Sequence, residues 1–413
     1  MNILFVHEID WLKTVVFELH TLSELLSRRG HRVFALDYED HWRPNGHGRL
    51  GDLGTRSYDV ARAYPDARVT LVRPGFVKVP AVSRCSAFYT HYRELDRLLS
   101  KEKIDVIVLY SVPTNGLQTL WLAKRHGIPV VFRSVDILHQ LVPHALLRPP
   151  TSFLEDQVYR RVDLVLALTP YLAKYVVRKG ARPERVKLLP PGVDTVRFCP
   201  RPPDAGLRRK LGLGENDAVV LFLGTLFDFS GLDLFLREFP GLLAQVPEAR
   251  LLIVGDGPQR PALEAEIDRL GLRGKVTITG FQPFETMPDY INLATVCVNA
   301  FRLNGATRDI IPSKVVQYLA CGKALVATPL PGMVSVLPGE ECGVAYRQSA
   351  EELTAEIASL LRQPERRRHL EDDGLRYVRQ THGYDTITRQ LESYLAEVTQ
   401  LSPTAAHVRR EIA

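Results

Sequence analysis

At 413 residues, 45% of them hydrophobic, the chain has the length for two domains and the material for two cores, which excludes a disordered protein. No segment approaches the roughly 20 apolar residues that cross a bilayer, and the first residues lack the basic lead of a signal peptide, so we expect a cytoplasmic protein. The net charge of +6 is uneven: residues 1–198 hold 29 Lys and Arg against 20 Asp and Glu, a balance of +9, and residues 199–413 hold 24 against 27, a balance of −3.

Short β-rich runs alternate with amphipathic helices through the first half of the chain. Asn2–Val6 predicts a buried strand, and residues 14–29 repeat apolar side chains at helical spacing. The polar stretch Glu39–Asp66 predicts a loop region. Further strands are expected at Arg32–Tyr38, Val69–Arg73, Ile104–Tyr110, Pro129–Phe132, Leu164–Leu168 and Val186–Leu189. This alternation indicates a parallel sheet with helices on both faces.

A positively charged helix is expected around Phe88–Lys103. Arg93, Arg97 and Lys101 recur there at helical spacing beside aromatic and aliphatic side chains. Together with the +9 balance, this pattern favours peripheral association of the first domain with an anionic membrane or a lipid-linked acceptor. Solvated arginines explain the charge equally well. The aromatic–basic interleaving of single-strand binders is absent, so we expect no nucleic-acid partner.

A proline-rich stretch, Phe198–Asp204, predicts a linker, because proline resists both helix and central strand. The alternation then restarts, with strands expected at Val219–Leu223, Arg250–Val254, Val276–Thr279, Thr295–Asn299 and Leu325–Thr328. We therefore predict two doubly wound α/β domains, residues 1–198 and 199–383, that face each other across a cleft. A final helix over 384–401 is expected to pack back toward the first domain, and 402–413 to form a loose tail.

Two glycines end predicted strands just before a helix. Gly224 follows Val219–Leu223, and Gly255 follows Arg250–Val254. Glycine at such a turn lets backbone approach a phosphate at the helix N-terminus. Tight strand–helix packing also demands glycine, so a purely structural role stays open for each.

The order of motifs is more specific than any one of them. Gly-Val-Asp at 192–194, the strand ending in Gly224, Gly-Asp-Gly-Pro at 255–258, Thr-Gly-Phe at 279–281 and the segment Pro312–Gly322 resemble glycosyltransferase family 4, of the GT-B fold, and the resemblance covers nearly the whole chain. It implies a retaining hexosyltransferase that uses a UDP- or GDP-type sugar without a metal or other cofactor. The acceptor would be a hydroxyl of a glycolipid, polysaccharide precursor or secondary metabolite.

The resemblance also implies which residues bind the donor, with the second domain holding most of it. The family's acidic pair is replaced here by Asp309, expected to contact sugar hydroxyls, and Gln317, expected to bond the ribose through its amide. A surface loop charge and an ordinary helical glutamine are the alternatives. The other donor-binding residues that we predict from the family's pattern are Gly224, Thr225, Gly255, Phe281, Ile310, Ile311 and Ser313.

The family's two diphosphate-binding cations are missing, because their positions hold Thr225 and Ser230. A departing diphosphate carries charge that must be stabilised for the sugar bond to break. Lys314, in Pro-Ser-Lys at a helix start, is the best replacement, and Arg302 and Arg308 are weaker candidates. A solvated helix lysine is the alternative reading of Lys314.

In the first domain the predicted strand Pro129–Phe132 is followed by the charged residues Arg133 and Asp136. The resemblance makes Asp136 the candidate for orienting the attacking hydroxyl and Arg133 a candidate phosphate contact. The family's Gly-Gly loop after the first strand is absent. His7, Asp10 and Lys13 replace it and are expected to line the acceptor site, although capping and packing explain them as well.

The family's mechanism implies attack from the face of the departing diphosphate, whose oxygen takes the acceptor's proton, while the protein positions the reactants and excludes water. Other enzymes share the fold, namely a nucleotide-sugar epimerase or a phosphorylase. A non-catalytic member that binds nucleotide sugar or a partner is a further alternative, which the loss of the two cations favours. The five scattered cysteines lack metal-site spacing and are expected to be reduced.

Overall fold

The structure, a computed structural model, describes residues 1–14, 16–39, 51, 53–79, 82–142, 144–305 and 307–401. The predicted tail 402–413 and part of the predicted loop region Glu39–Asp66 lie outside the described residues. The chain forms two compact units, one of Met1–Pro190 with the residues from Ile387 onward, and one of Pro191–Thr386.

The first unit is built on a sheet that, among the described residues, has eight strands in the order β3-β4-β2-β1-β5-β6-β7-β8. All neighbouring pairs are parallel except β3 with β4. The apolar, buried runs of the central strands explain why helices cover both faces. The strands are β1 (Asn2–Val6), β2 (Arg32–Leu36), β3 (Thr55–Val60), β4 (Val69–Pro74), β5 (Val106–Leu109), β6 (Val130–Ser134), β7 (Leu164–Ala167) and β8 (Val186–Leu188).

Strand β3 lies inside the stretch predicted as a loop, so that part of the prediction is wrong. Its residues are nearly all exposed, and it pairs with β4 only at the edge of the sheet. An edge strand without an apolar face carries no hydrophobic signal in the sequence.

The first unit's helices follow the strands in alternation. They are α1 (Glu18–Arg28), α2 (Val82–Lys101), α3 (Gly116–His126), α4 (Leu138–Leu141), α5 (Arg148–Tyr159) and α6 (Pro170–Arg178). Helix α2 packs beside α3, α3 beside α5, and α4 beside α5. Helices α2, α3, α4 and α5 are therefore neighbours on one side of the sheet.

The second unit repeats this plan with a parallel sheet whose six described strands have the order β11-β10-β9-β12-β13-β14. Its core is a single cluster of buried aliphatic and aromatic side chains. The strands are β9 (Ala218–Leu223), β10 (Ala249–Val254), β11 (Val276–Ile278), β12 (Val296–Asn299), β13 (Leu325–Ala327) and β14 (Val344–Tyr346). The helices are α7 (Ala205–Lys210), α8 (Leu232–Gln245), α9 (Arg260–Arg269), α10 (Met287–Leu293), α11 (Ser313–Ala320), α12 (Pro331–Val334), α13 (Ala350–Arg362) and α14 (Pro364–Thr381).

The chain passes from the first unit into the second at Pro191, earlier than the predicted boundary after residue 198. Val193 and Phe198 are buried in the second unit's core, so the proline-rich stretch belongs to that unit. The last helix, α15 (Tyr384–Leu401), belongs to the first unit from Ile387 onward. Its Glu392 accepts hydrogen bonds from the Arg29 guanidinium at 2.8 Å and pairs with His31 at 2.7 Å.

Candidate functional site

The second unit's sheet reverses its strand order at β9, which lies between β10 and β12. Ligands of doubly wound sheets bind outside the carboxyl ends of the strands at such a point. Strand β9 is a buried apolar run that ends at Leu223, and Gly224 then takes φ +137°, a conformation that other residues rarely adopt. The predicted donor site therefore starts at Gly224.

Lys314 is the second residue of α11 and sends its side chain toward this turn. The residue is only 5% exposed, and its Nζ lies 3.6 Å from the centre of the Phe222 ring and 4.2 Å from that of Phe301. A methyl group on Gly224 would lie 3.6 Å from the same Nζ. Within the described part of the chain the amine has no hydrogen-bond partner. Burial lowers the pKa of Lys314 well below its usual value.

The two predicted glycines have different environments. A methyl group on Gly255 would lie 2.0 Å from the Gly224 carbonyl oxygen, and one on Gly257 would lie 2.7 Å from the backbone nitrogen and oxygen of Leu226. Close packing of backbone against backbone explains why Gly255 and Gly257 are glycines. Gly224 itself faces only the Lys314 side chain within 4 Å. The structural reading therefore accounts for Gly255, and Gly224 is the glycine that leaves space beside an amine.

Two arginines were candidates to replace the family's cations, and the structure gives them different environments: Arg308 is exposed with its Nε 4.0 Å from Asp309, whereas Arg302 is paired. Thr225 is exposed and Ser230 is buried. The Arg302 guanidinium is held by Asp233 and lies 3.4 Å from an oxygen of Asp228. Because Arg302 is already paired, the buried amine of Lys314 remains the best candidate to meet a diphosphate.

Asp309 lies on the loop that leads into α11. The Gly332 N–H donates to the Arg308 carbonyl at 2.9 Å, and a methyl on Gly332 would lie 2.5 Å from the Asp309 backbone. This close approach fixes the loop. The Asp309 side chain is 19% exposed, and one of its carboxyl oxygens lies 4.0 Å from the Arg308 Nε. Its carboxylate is thus set on a rigid backbone and still reachable.

The other predicted donor residues fall into two groups. Ser313 is the exposed first residue of α11, Gln317 lies one turn later and is half-buried, and Ile310 and Ile311 precede the helix with little exposure. These residues accompany Lys314 on one segment. Phe281 follows β11, two strands away from β9, and its ring is 76% exposed.

The first unit places the predicted acceptor residues in a buried network. Asp10 is fully buried, accepts a hydrogen bond from the Arg73 guanidinium at 2.7 Å and caps the backbone N–H groups of Leu12 and Lys13 at 3.2 Å. Asp37 holds the same arginine and accepts from the Trp11 N–H. These contacts favour the packing alternative for Asp10, and its predicted role at the acceptor site stays a prediction.

His7 and Lys13 flank that network. His7 is buried, its Nδ1 accepts the Ile9 N–H at 3.4 Å, and burial lowers the pKa of His7 to about 3. It is therefore a neutral side chain at ordinary pH. Lys13 is half-exposed, with its Nζ 3.8 Å from Asp10 and 4.0 Å from Glu39.

Arg133 is also engaged within the first unit. The residue is 1% exposed and donates to both carboxylate oxygens of Glu18 at 2.7 Å, with a third bond to the Leu166 carbonyl at 3.2 Å. This ion pair uses the donors that a phosphate would need, so the geometry supports a structural role for Arg133.

Asp136 lies just beyond the end of β6, and although the residue as a whole is exposed, neighbouring protein atoms crowd its carboxyl. Desolvation of its carboxyl, and then the charge of Glu18, raise the pKa of Asp136. Glu18, the first residue of α1, thus links Arg133 to the Asp136 region and was missed by the sequence analysis. A pairing between residues so far apart in the chain leaves no local pattern.

The described ranges contain neither a membrane-spanning helix nor a cluster of metal ligands. No helix there has the length and apolarity of a membrane span. No three or more His, Cys, Asp or Glu side chains among the same residues are arranged to hold a metal ion.

Comparison with known proteins gives a family match for each unit. Residues 217–363 match the family described as glycosyl transferases group 1, and residues 15–192 match the glycosyl transferase 4-like domain. The GDP-mannose-dependent alpha-(1-6)-phosphatidylinositol monomannoside mannosyltransferase of Mycolicibacterium smegmatis is 36% identical over 43% of this chain and 47% of its own length. The D-inositol 3-phosphate glycosyltransferase of Segniliparus rotundus is 29% identical over 68% of this chain and 64% of its own.

The chain thus spans less than two thirds of the length of either relative. Among solved structures, that of Anabaena HepE in complex with UDP superimposes with a TM-score of 0.67 at 17% identity, covering 96% of this chain and all of that one. Such a likeness concerns the fold. The two family matches, together with the two parallel-sheet units, show that the chain belongs to the group 1 glycosyltransferases of family 4 and has the GT-B fold.

Proposed function

We propose that the chain is a retaining glycosyltransferase that moves a hexose-type sugar from a nucleotide diphosphate to an acceptor hydroxyl. The observation that carries the proposal is the buried Lys314 amine, which lies beside Gly224 at the carboxyl end of the central strand β9. Burial of an amine without a partner costs folding free energy, so its retention there calls for an anionic ligand.

The proposed donor is a GDP- or UDP-linked hexose. One relative is named as GDP-mannose-dependent, and a structure of the same fold was solved with UDP. GDP-mannose is therefore the first donor to test. Two relatives are named for inositol-based acceptors, so a hydroxyl on an inositol or glycolipid is the first acceptor to test.

In the proposed mechanism the second unit stabilises the leaving group. An incoming diphosphate favours the protonated form of the Lys314 amine, and the backbone N–H groups at the start of α11 add positive potential. These groups supply the positive charge that the reaction needs, so we propose turnover without a divalent metal. Asp309 would bind the sugar hydroxyls and Gln317 the ribose.

The first unit would supply the acceptor side, with Asp136 orienting the attacking hydroxyl. In a same-face mechanism the departing phosphate oxygen takes the acceptor proton, so the protein contributes position more than proton transfer. The positive balance of this half favours association with an anionic membrane.

A panel of GDP- and UDP-sugars tests the proposal on the full chain. Binding is measured by thermal shift, and turnover by release of the nucleoside diphosphate with and without a chelator and an acceptor. We expect one donor to raise the melting temperature and to be hydrolysed slowly in the presence of chelator. Activity that requires Mg²⁺ or Mn²⁺ would contradict the metal-independent mechanism. Donor binding without sugar release would favour the non-catalytic alternative, and interconversion of sugars without acceptor would favour the epimerase.

A further inference from the structure

Large apolar side chains are exposed on three neighbouring helices of the first unit. Helix α2 packs beside α3, and α3 beside α5, which α4 precedes and touches. We call the exposed set the apolar rim. Its members are Phe88 and Tyr89 of α2, Leu117 and Trp121 of α3, and Leu141, Leu146, Leu147 and Phe153 of the segment that holds α4 and the start of α5.

The exposure of the rim is large for side chains of this size. Trp121 is 56% exposed, Phe153 61% and Leu146 90%. Between α2 and α3 the rings of Tyr92 and Trp121, 5.8 Å apart, help enclose a groove of about 380 Å³ whose walls are nearly all apolar. An apolar groove flanked by further exposed apolar side chains is typical of an interaction site.

The rim lies at the functional edge of the sheet. Helices that connect parallel strands run back against them, so the first turns of a helix lie near the carboxyl end of the preceding strand. The rim residues lie in the first halves of α2, α3 and α5 or just before α5. Asp136, at the end of β6, opens the same connection that carries Leu141 and Leu146. The rim therefore borders the edge assigned to the acceptor.

The rim helices also carry exposed basic side chains. Arg148 begins α5, Arg93 lies in the second half of α2, and Lys124 and Arg125 lie in the last turn of α3, where the Arg125 guanidinium is 6.0 Å from the centre of the Trp121 ring.

The acidic side chains of the same helices are paired. Glu94 holds Arg97 at 2.7 Å, Asp96 contacts His126 at 2.9 Å, Glu155 accepts from Tyr175 at 2.7 Å, and Asp156 holds Lys179. Exposed Trp, Tyr, Phe and Leu beside Arg and Lys form the composition that binds the interface of an anionic bilayer.

We propose that the apolar rim inserts into the interface of an anionic lipid bilayer and holds the carboxyl edge of the first sheet against it. The orientation would present the Asp136 edge to hydroxyls of lipid headgroups. The evidence for membrane binding is the apolar rim itself. A role of membrane binding in catalysis rests on the proposed function with a lipid acceptor.

Vesicle binding of the full chain tests the proposal, with phosphatidylcholine vesicles with and without phosphatidylglycerol. Binding should need the anionic lipid, weaken with salt and fall at least tenfold in a Trp121→Gln/Leu146→Ser/Phe153→Ser variant, since burial of each of these apolar side chains in the bilayer favours binding. Val196→Ser, which changes an 83% exposed residue of the second unit, is the matched control and should bind as the parent does. Quenching by bromolipids should affect the parent and be reduced in Trp121→Phe.

Equal binding of the rim variant and the parent would overturn insertion, as would indifference to anionic lipid at low salt. Self-association of the free chain that the rim variant abolishes, without vesicle binding, would show that a second copy covers the rim and would overturn the proposal. Donor hydrolysis without membranes should be unchanged in the rim variant. Vesicle binding by a chain that binds no nucleotide would refute the proposed function and leave the rim proposal standing.

Discussion

The loops that follow β1 and β9 occupy equivalent places, because each leaves the central strand at which its sheet reverses order. After β1 the Asp10 and Asp37 carboxylates both contact the buried Arg73 guanidinium, while His7 Nε2 and Trp11 Nε1 are buried without a hydrogen-bond partner in the described ranges. After β9 a glycine faces a buried amine that also has no hydrogen-bond partner there. Among the described residues, the two loops thus differ in their ionisable groups, since the carboxylates after β1 contact a buried arginine and the amine after β9 has no such partner. An unpartnered buried ionisable group is the stronger indication of a functional site.

The largest expected effect is a loss of folding stability at acidic pH, caused by buried histidines in and beside the loop after β1. Burial lowers the pKa of His7 to about 3 and that of His20 to about 4, from 6.5. Below pH 6.5 the unfolded chain therefore binds more protons than the fold, and stability falls as the pH drops toward those values. At about 1.4 kcal/mol per unit, the loss from His7 alone reaches several kcal/mol. Asp37, whose pKa is raised to about 6, works in the opposite direction but shifts less than the two histidines combined.

Denaturant titrations at a series of pH values measure this loss. All three tryptophans, Trp11, Trp42 and Trp121, lie in residues 1–198, so their fluorescence reports the first half of the chain. His7→Asn should flatten the acid slope. A slope that His7→Asn leaves unchanged would show that this histidine does not stay neutral in the fold.

The second effect separates the two readings of Asp10. Asp10→Ala should destabilise the fold by about 3–5 kcal/mol, because Arg73 would lose one partner of a buried pair. Lys13→Ala, at a half-exposed neighbour, should cost less than about 1 kcal/mol. A full melting temperature for Asp10→Ala, combined with a raised KM for the acceptor, would restore the predicted acceptor role.

The third prediction concerns the turn after β9, where Lys314 lies beside Gly224. Lys314→Met should lower turnover by roughly 10²–10³, or about 2.7–4 kcal/mol, with Asp309→Asn close behind. The melting temperature of Lys314→Met should stay equal or rise, because the change removes a buried amine without a partner in the described structure. Lys323→Met is the matched control, since that amine donates to the Asn292 carbonyl at 3.2 Å, and turnover should be kept. Full turnover by Lys314→Met would show that the site is elsewhere.

The fourth effect compares the two glycines. Gly224→Ala should weaken donor binding, since the methyl enters the space beside Lys314, and should also cost about 1–3 kcal/mol of folding stability, since φ +137° strains an L-residue. Gly255→Ala should lower the melting temperature further, because the same kind of strain at φ +147° is joined by a methyl that meets the Gly224 carbonyl at 2.0 Å. Isothermal titration with nucleoside diphosphate and thermal melting distinguish the two. Equal melting temperatures for both variants would contradict the assignment.

The smallest expected effect concerns Gln317. Gln317→Ala should weaken donor binding by about 0.5–1.5 kcal/mol if one neutral hydrogen bond to the ribose is lost, with turnover at saturating donor nearly unchanged. Gln317→Glu should bind at least as well as the parent, since a charged acceptor makes the stronger bond. Unaltered affinity in both variants would remove Gln317 from the site.

Much of the fold follows from local pattern. Buried strands such as β1 and β9 are apolar runs, and Gly224 and Lys314 stand in motifs with a physical meaning. Strand β3 escaped prediction because its residues are exposed. The structural role of Arg133 escaped because Glu18, its partner, is remote in sequence, and the burial of Lys314 between Phe222 and Phe301 is likewise a tertiary fact. Local sequence can indicate which side chain carries charge, but the pairing of that charge depends on the fold.

The buried Lys314 amine has a thermodynamic consequence for selectivity. A group whose pKa is lowered by burial and raised again by an anion makes ligand binding and proton uptake one reaction. Donor affinity should therefore decline with rising pH once the amine of the free protein is neutral. Protons should be taken up from the buffer in step with nucleotide, which calorimetry in buffers of different ionisation enthalpy measures. Because burial disfavours the charged amine, an anion that restores the proton should be one with enough negative charge to offset that burial, and a diphosphate should therefore be bound in preference to a monovalent anion.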